Sequence, residues 1–106
     1  MTTHPLDRLF ALIASRKGAD PTTSYTAKLF GQGKLKCAKK LAEEAVETSL
    51  AAVAQDKAAL VGESADLIYH LLVLWAVCDV TPDEVYAVLE ARQGRSGLDE
   101  KASRKV

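Results

Sequence analysis

The sequence predicts an all-α protein, a bundle of helices in one domain of residues 1–106. Apolar residues recur at three- and four-residue spacing along several long stretches, as in helices with one buried face. No run of alternating apolar and polar residues marks a strand, and there is no internal repeat or low-complexity tract. Thr81-Pro82-Asp83-Glu84 supplies a complete helix start: a capping threonine, a proline at the first helical position and a glutamate placed to close a capping box. A domain of 106 residues buries only about 60–65% of its unfolded surface. A bundle of that size gains core by pairing with a copy of itself, so a homodimer is expected.

The first helix is expected to be capped by Thr3 with Pro5 in its first turn; Leu6, Leu9, Phe10 and Ile13 make its apolar face and Gly18 ends it. Residues 19–23, with Asp20-Pro21, read as a turn-rich linker. Ser24 to Phe30 read as a short helix before Gly31 and Gly33 interrupt. A long helix follows from about Lys34 to Ala54. Its apolar positions Leu41, Ala45, Leu50 and Val53, with Ala42, Val46 and Ser49 between, are expected to cover the side opposite Glu43, Glu44 and Glu47. Asp56-Lys57 turns the chain into another long helix, from about Ala58 to Cys78. It is apolar almost all round after Asp66 and is therefore expected at the centre, with Tyr69 and Trp75 as core aromatics. The last helix opens at Thr81, carries Val85, Val88 and Leu89, and stops at Gly94; residues 95–106 form a polar tail, mobile unless a ligand or partner orders it.

Two acidic clusters carry the chemistry: Glu43-Glu44-Ala45-Val46-Glu47 and, after fifteen intervening residues, Glu63-Ser64-Ala65-Asp66. At about 100° per residue, Glu43, Glu44 and Glu47 fall within an arc of roughly 100°, and Glu63 and Asp66 lie about 60° apart, so each cluster makes one stripe. Facing stripes would set charges some 4 Å apart, each pair repelling by about 4 kcal/mol at an effective dielectric of 20. No Lys or Arg lies between Glu43 and Glu47, or between Ala58 and Ala91, to offset that. A divalent cation meets the need, and an all-oxygen donor set selects Mg²⁺ or Mn²⁺ over zinc or copper. Asp66, at the head of the apolar run Leu67 to Cys78, is expected to be buried, where an unpaired carboxylate is costly. His70 shares its face and is within reach of it. A lone histidine on a core helix is more often a packing residue, so His70 stays outside the ligand set.

Composition excludes several classes. With 14 basic and 14 acidic side chains the formal charge is zero, which leaves no global field to attract nucleic acid or an anionic membrane. Lys34, Lys36, Lys39 and Lys40 make too short a basic cluster, with acidic residues following at once. The uncharged run Leu67 to Cys78 has twelve residues, against the roughly 20 needed to span a bilayer. Met1 to His4 does not begin a signal peptide, so export is not expected. Cys37 and Cys78 form no CxxC pattern and are expected to be buried thiols, which suits a reducing cytoplasm.

The pattern Glu-Glu-x-x-Glu, a spacer, then Glu-x-x-Asp resembles the all-α MazG-like nucleoside-triphosphate pyrophosphohydrolases. A narrower resemblance is to phosphoribosyl-ATP pyrophosphohydrolases. It rests on Ser24-Tyr25-Thr26-Ala27, Lys39-Lys40 before the acidic motif, Ala65 to Leu74 through the central helix, and Ser96 to Arg104, in that order along nearly the whole chain. Cys37 stands where that family is expected to carry an aliphatic residue. The resemblance implies a MazG-like bundle and cleavage between the α- and β-phosphates of phosphoribosyl-ATP, giving phosphoribosyl-AMP and pyrophosphate in the second step of histidine biosynthesis. It implies Glu44, Glu47, Glu63 and Asp66 as metal ligands, with Glu43 a further ligand, an outer-shell partner or the base for the attacking water. Lys40, Lys101 and Arg104 are then the expected phosphate contacts and Tyr25 the stacking residue, the tail acting within its own subunit or completing a partner's site.

Two other readings make different demands. A related pyrophosphohydrolase would act on other nucleoside triphosphates with the same carboxylates, and a non-enzymatic helical interaction module would use the glutamates only as surface charge. A di-iron carboxylate bundle wants Glu-x-x-His motifs on paired helices, and these are absent. The sequence reads as a stand-alone version, separate from the enzyme of the following pathway step.

Overall fold

The computed structural model describes residues 4–93, and these form five helices with no strand among them. In chain order they are α1 (Pro5–Ala14), α2 (Tyr25–Gln32), α3 (Lys34–Val53), α4 (Lys57–Val77) and α5 (Pro82–Arg92). The expected polar tail lies outside the described residues, as does Thr3; the described cap of α1 is His4, whose Nδ1 accepts from the Leu6 amide. Ser24 caps α2 through the Ala27 amide, and Gly31 continues that helix instead of ending it. Gly33 makes the break. At φ +88° it ends α2 and opens α3, a backbone that an L side chain strains to adopt.

α3 and α4 form an antiparallel hairpin across a three-residue turn. The left-handed Gln55 places its own amide on the Ala52 carbonyl and the Asp56 amide on the Ala51 carbonyl, a Schellman ending without glycine. Asp56 then caps α4 through Ala59. Asp79 repeats the same ending at the far end of α4, with Val80 bonded back to Trp75. The capping box expected at α5 is formed: the Thr81 hydroxyl accepts from the Glu84 amide, and the Glu84 carboxylate accepts from the Thr81 amide at 2.9 Å.

α4 is central, packing against α1, α2 and α3. The core joins Ile13, Leu29, Cys37, Leu72, Val73 and Ala76, with Phe10, Phe30, Tyr69 and Trp75 partly buried around it. Two expectations of burial are corrected. Cys78 is exposed, because it occupies the C-cap where α4 leaves the core. Leu50 and Val53, expected to be buried, are 62% and 80% exposed, and Val46 is exposed with them. By length and composition α4 is apolar enough to cross a membrane, with a mean hydropathy of 1.4 over 18 residues, since Ala58–Gly62 adds apolar length ahead of its carboxylates. Its packing partners identify it as the core helix of a bundle.

Candidate active site

The α3–α4 hairpin brings the two acidic clusters together. One oxygen from each of Glu44, Glu63 and Asp66 lies within 4.8 Å of the others. The burial order reverses the sequence expectation: Glu44 is the buried carboxylate, only 9% exposed, whereas Asp66 is exposed. The face of α3 that meets α4 carries Glu44 and Thr48, with Leu41 and Ala45 half-buried, while Val46, Leu50 and Val53 are exposed. Glu47 is exposed beside the trio, close enough for its charge to act on both Glu44 and Glu63. Glu43 is exposed and pairs with Lys40 at 3.2 Å, which holds the Glu43 carboxyl below its ordinary range.

Burial, then the neighbouring Glu47 charge, pushes the Glu44 carboxyl above its ordinary value of 4.5, and Asp66 and Glu63 add to the effect. Glu63 is raised in the same way, by burial first and then by Glu47 and Asp66. Both Glu44 Oε2 and Glu63 Oε2 are buried without a hydrogen-bond partner. Unpartnered carboxylate oxygens converging from two helices fit a hard divalent cation, which takes oxygen donors and offsets their repulsion.

His70 lies against Glu44, not Asp66. Its Nε2 is 3.9 Å from Glu44 Oε1, too long for a hydrogen bond, and its Nδ1 is buried without a partner. Burial, then the Lys40 charge, lowers its pKa from 6.5, so the ring is neutral near pH 7. Tyr25, 53% exposed, stacks on Tyr69 with ring centroids 6.4 Å apart and meets the His70 ring at 6.2 Å, edge to face. Tyr69 in turn shares a hydroxyl–hydroxyl hydrogen bond with Thr26. An aromatic shelf therefore stands on the Lys40 side of the carboxylates. Lys101 and Arg104 lie outside the described residues. Thr48, which the sequence reading missed, bonds between the two acidic segments. No sequence signal marks it, because a helical threonine ordinarily bonds its own preceding turn.

These carboxylates make stability depend on pH in a way that metal should reverse. A raised carboxyl pKa means that the native state holds its proton more tightly. The resulting stability is complete below the unfolded value of 4.5 and is lost as pH rises through the folded values. His70 acts in the opposite sense, costing stability only below 6.5. Since a cation competes with the carboxyl protons, the difference in unfolding free energy between Mn²⁺-loaded and metal-free protein should widen as pH rises above 4.5. It should reach about 2.7 kcal/mol where free Mn²⁺ is a hundred times its dissociation constant. Urea titrations with Mn²⁺ or EDTA measure it, and a difference that ignores pH would contradict the assignment.

An all-α bundle whose α3–α4 hairpin gathers carboxylates from two helices, near Lys40 and exposed Tyr25, suits an all-α nucleotide pyrophosphohydrolase. Sequence comparison narrows the class. The chain belongs to the phosphoribosyl-ATP pyrophosphohydrolase family, whose profile matches residues 6–93. It is 61% identical over 99 residues to a phosphoribosyl-ATP pyrophosphatase of Paramagnetospirillum magneticum, covering 93% of this chain and 91% of the relative. It is 62% identical over 99 residues to that of Parvibaculum lavamentivorans, with the same shares of each chain. To the enzyme of Azospirillum brasilense it is 58% identical over 100 residues, or 94% of this chain and 90% of the relative.

Proposed function

We infer that this chain hydrolyses the α–β phosphoanhydride of phosphoribosyl-ATP, releasing phosphoribosyl-AMP and pyrophosphate, as an enzyme of histidine biosynthesis. The observation that carries the reading is the buried, unpartnered Glu44 carboxylate facing Glu63 and Asp66, within a chain of this family. Glu44, Glu47, Glu63 and Asp66 would hold Mg²⁺ or Mn²⁺. Bound there, the cation supplies charge neutralisation at the phosphates and lowers the pKa of an attached water. The protein's own groups do the rest. Glu43, next to Glu44 in the chain and exposed, would order or deprotonate the attacking water, and Lys40, its partner in the free enzyme, would reach a substrate phosphate. Tyr25 offers an exposed ring for the base, with Tyr69 behind it. Lys101 and Arg104 complete the phosphate contacts from the tail.

The enzyme is read as a cytoplasmic homodimer of one catalytic domain per chain, with a small nucleotide as substrate and neither nucleic acid nor membrane as partner. Three supports stand behind the dimer. Leu35, Val46, Leu50 and Val53 on α3 and Val61 and Ile68 on α4 are exposed large hydrophobics concentrated on the hairpin. Among them Val46, Leu50 and Val53, like Val61 and Ile68, recur at helical spacing. The radius of gyration is 16.0 Å, against about 13 Å for a compact domain of 100 residues. Two free cysteines, one of them exposed, accord with a reducing compartment.

A turnover panel tests the substrate. Pyrophosphate release from phosphoribosyl-ATP should exceed that from ATP, dATP and dCTP by at least about a hundredfold in kcat/KM, because the added phosphoribosyl group offers binding energy that the plain nucleotides lack. Faster hydrolysis of dATP or dCTP would assign the site to a pyrophosphohydrolase of general nucleotides.

A further inference from the structure

We infer that Thr48 is a positioning residue that sets the spacing between the two halves of the carboxylate cluster. Its hydroxyl lies 2.7 Å from the Glu44 carbonyl and 3.1 Å from the Glu63 carbonyl. The first contact is the ordinary back-bond of a helical threonine to the preceding turn. The second crosses from α3 to α4. A hydroxyl carries one proton, so the two carbonyls share it in a three-centre bond.

The positions of its two acceptors give the bond its role. Glu44 and Glu63 are the two residues whose buried carboxylate oxygens lack partners, and Thr48 ties their main chains together one residue past Glu47. Apolar packing between helices is non-directional and tolerates small slides. A shared proton between two carbonyls does not, because its strength depends on distance and angle. Mg²⁺ demands near-octahedral oxygens at about 2.0–2.1 Å, so a slide of a few tenths of an ångström between α3 and α4 is felt in affinity. Thr48 thus acts on the cation through Glu44 and Glu63, touching neither substrate nor metal.

The inference rests on the carboxylate cluster being the cation site, and the experiment separates the two claims. Wild type, Thr48→Val, Thr48→Ala and Thr48→Ser would be compared by melting temperature in EDTA, by Mn²⁺ titration followed by electron paramagnetic resonance, and by kcat and KM for phosphoribosyl-ATP, with Glu63→Gln as reference. Valine keeps the shape and removes the proton. Both carbonyls sit inside helices and keep their amide partners, so no orphan acceptor results. Thr48→Val should weaken Mn²⁺ binding about tenfold, the lower end for an outer-shell partner, and lower kcat while KM at saturating Mn²⁺ stays within about twofold. Thr48→Ser should restore Mn²⁺ affinity to within about twofold of wild type. If valine disturbs folding, alanine against serine decides the same question. Mn²⁺ affinity within twofold of wild type in the hydroxyl-free variants, or serine binding as poorly as valine, would overturn the inference. So would loss of the fold in both hydroxyl-free variants with serine intact, since the hydroxyl would then be a staple of the fold. Absence of Mn²⁺ binding in wild type, or its survival in Glu63→Gln, would instead overturn the site itself.

Discussion

Glu44→Gln should lower phosphoribosyl-ATP turnover by two orders of magnitude or more and, at neutral pH in EDTA, raise the stability of the protein. Both effects come from one physical fact. The Glu44 carboxylate is buried among three other carboxylates, and burial together with Glu47, Asp66 and Glu63 disfavours its ionised form. The amide has nearly the same shape and no charge, so it relieves the repulsion. It also removes an anionic oxygen from the cation's donor set, and charge stabilisation at a transferred phosphoryl group is worth about a hundredfold to a thousandfold per interaction lost. Activity is read from pyrophosphate release and stability from urea unfolding. Glu47→Gln and Asp66→Asn should lose turnover on a similar scale. Activity within about threefold of wild type in all these variants would count against the cluster as the reacting centre.

Leu50→Asp should convert the assembled protein to monomers. Leu50 is 62% exposed in the single subunit and lies one helical turn from both Val46 and Val53, themselves exposed. Burying a leucine is worth about 1.5–3 kcal/mol, and in a twofold interface the change counts once from each subunit. The cost of about 3–6 kcal/mol corresponds to some two to four orders of magnitude in dissociation constant. Sedimentation equilibrium across a range of concentrations measures this. Leu12→Asp, which alters an exposed leucine on α1, should leave the assembly intact. A wild-type protein that is already monomeric, or a Leu50→Asp variant with unchanged mass, would contradict the dimer.

Legibility in the sequence followed the range of the interaction. The Thr81–Glu84 capping box and the Ser24 and Asp56 caps are local, and the box was readable because its residue types and spacing are its cause. The central place of α4 was readable from its all-round apolar character. Which face of α3 meets α4 was not. Periodicity groups Glu43, Glu44 and Glu47 into one stripe and Leu50 and Val53 into another, yet it is silent on which stripe is turned toward the neighbour. The burial expected at Asp66 is therefore found at Glu44, and Leu50 and Val53 are exposed. Thr48 was hidden for the same reason, since its second acceptor lies fifteen residues away on another helix. The pairing of Glu43 with Lys40, three residues apart, lowers the Glu43 carboxyl pKa while those of Glu44 and Glu63 are raised, a difference that motif spacing does not contain.

The central claim is that the α3–α4 carboxylates hold a divalent cation, and anomalous scattering from a crystal grown with Mn²⁺ tests it most directly. The account predicts a manganese peak with oxygens of Glu44, Glu63 and Asp66 within about 2.5 Å, adjoining Glu47. Well-ordered carboxylates with no manganese among them at saturating Mn²⁺, or a peak bound elsewhere while those carboxylates point apart, would contradict it.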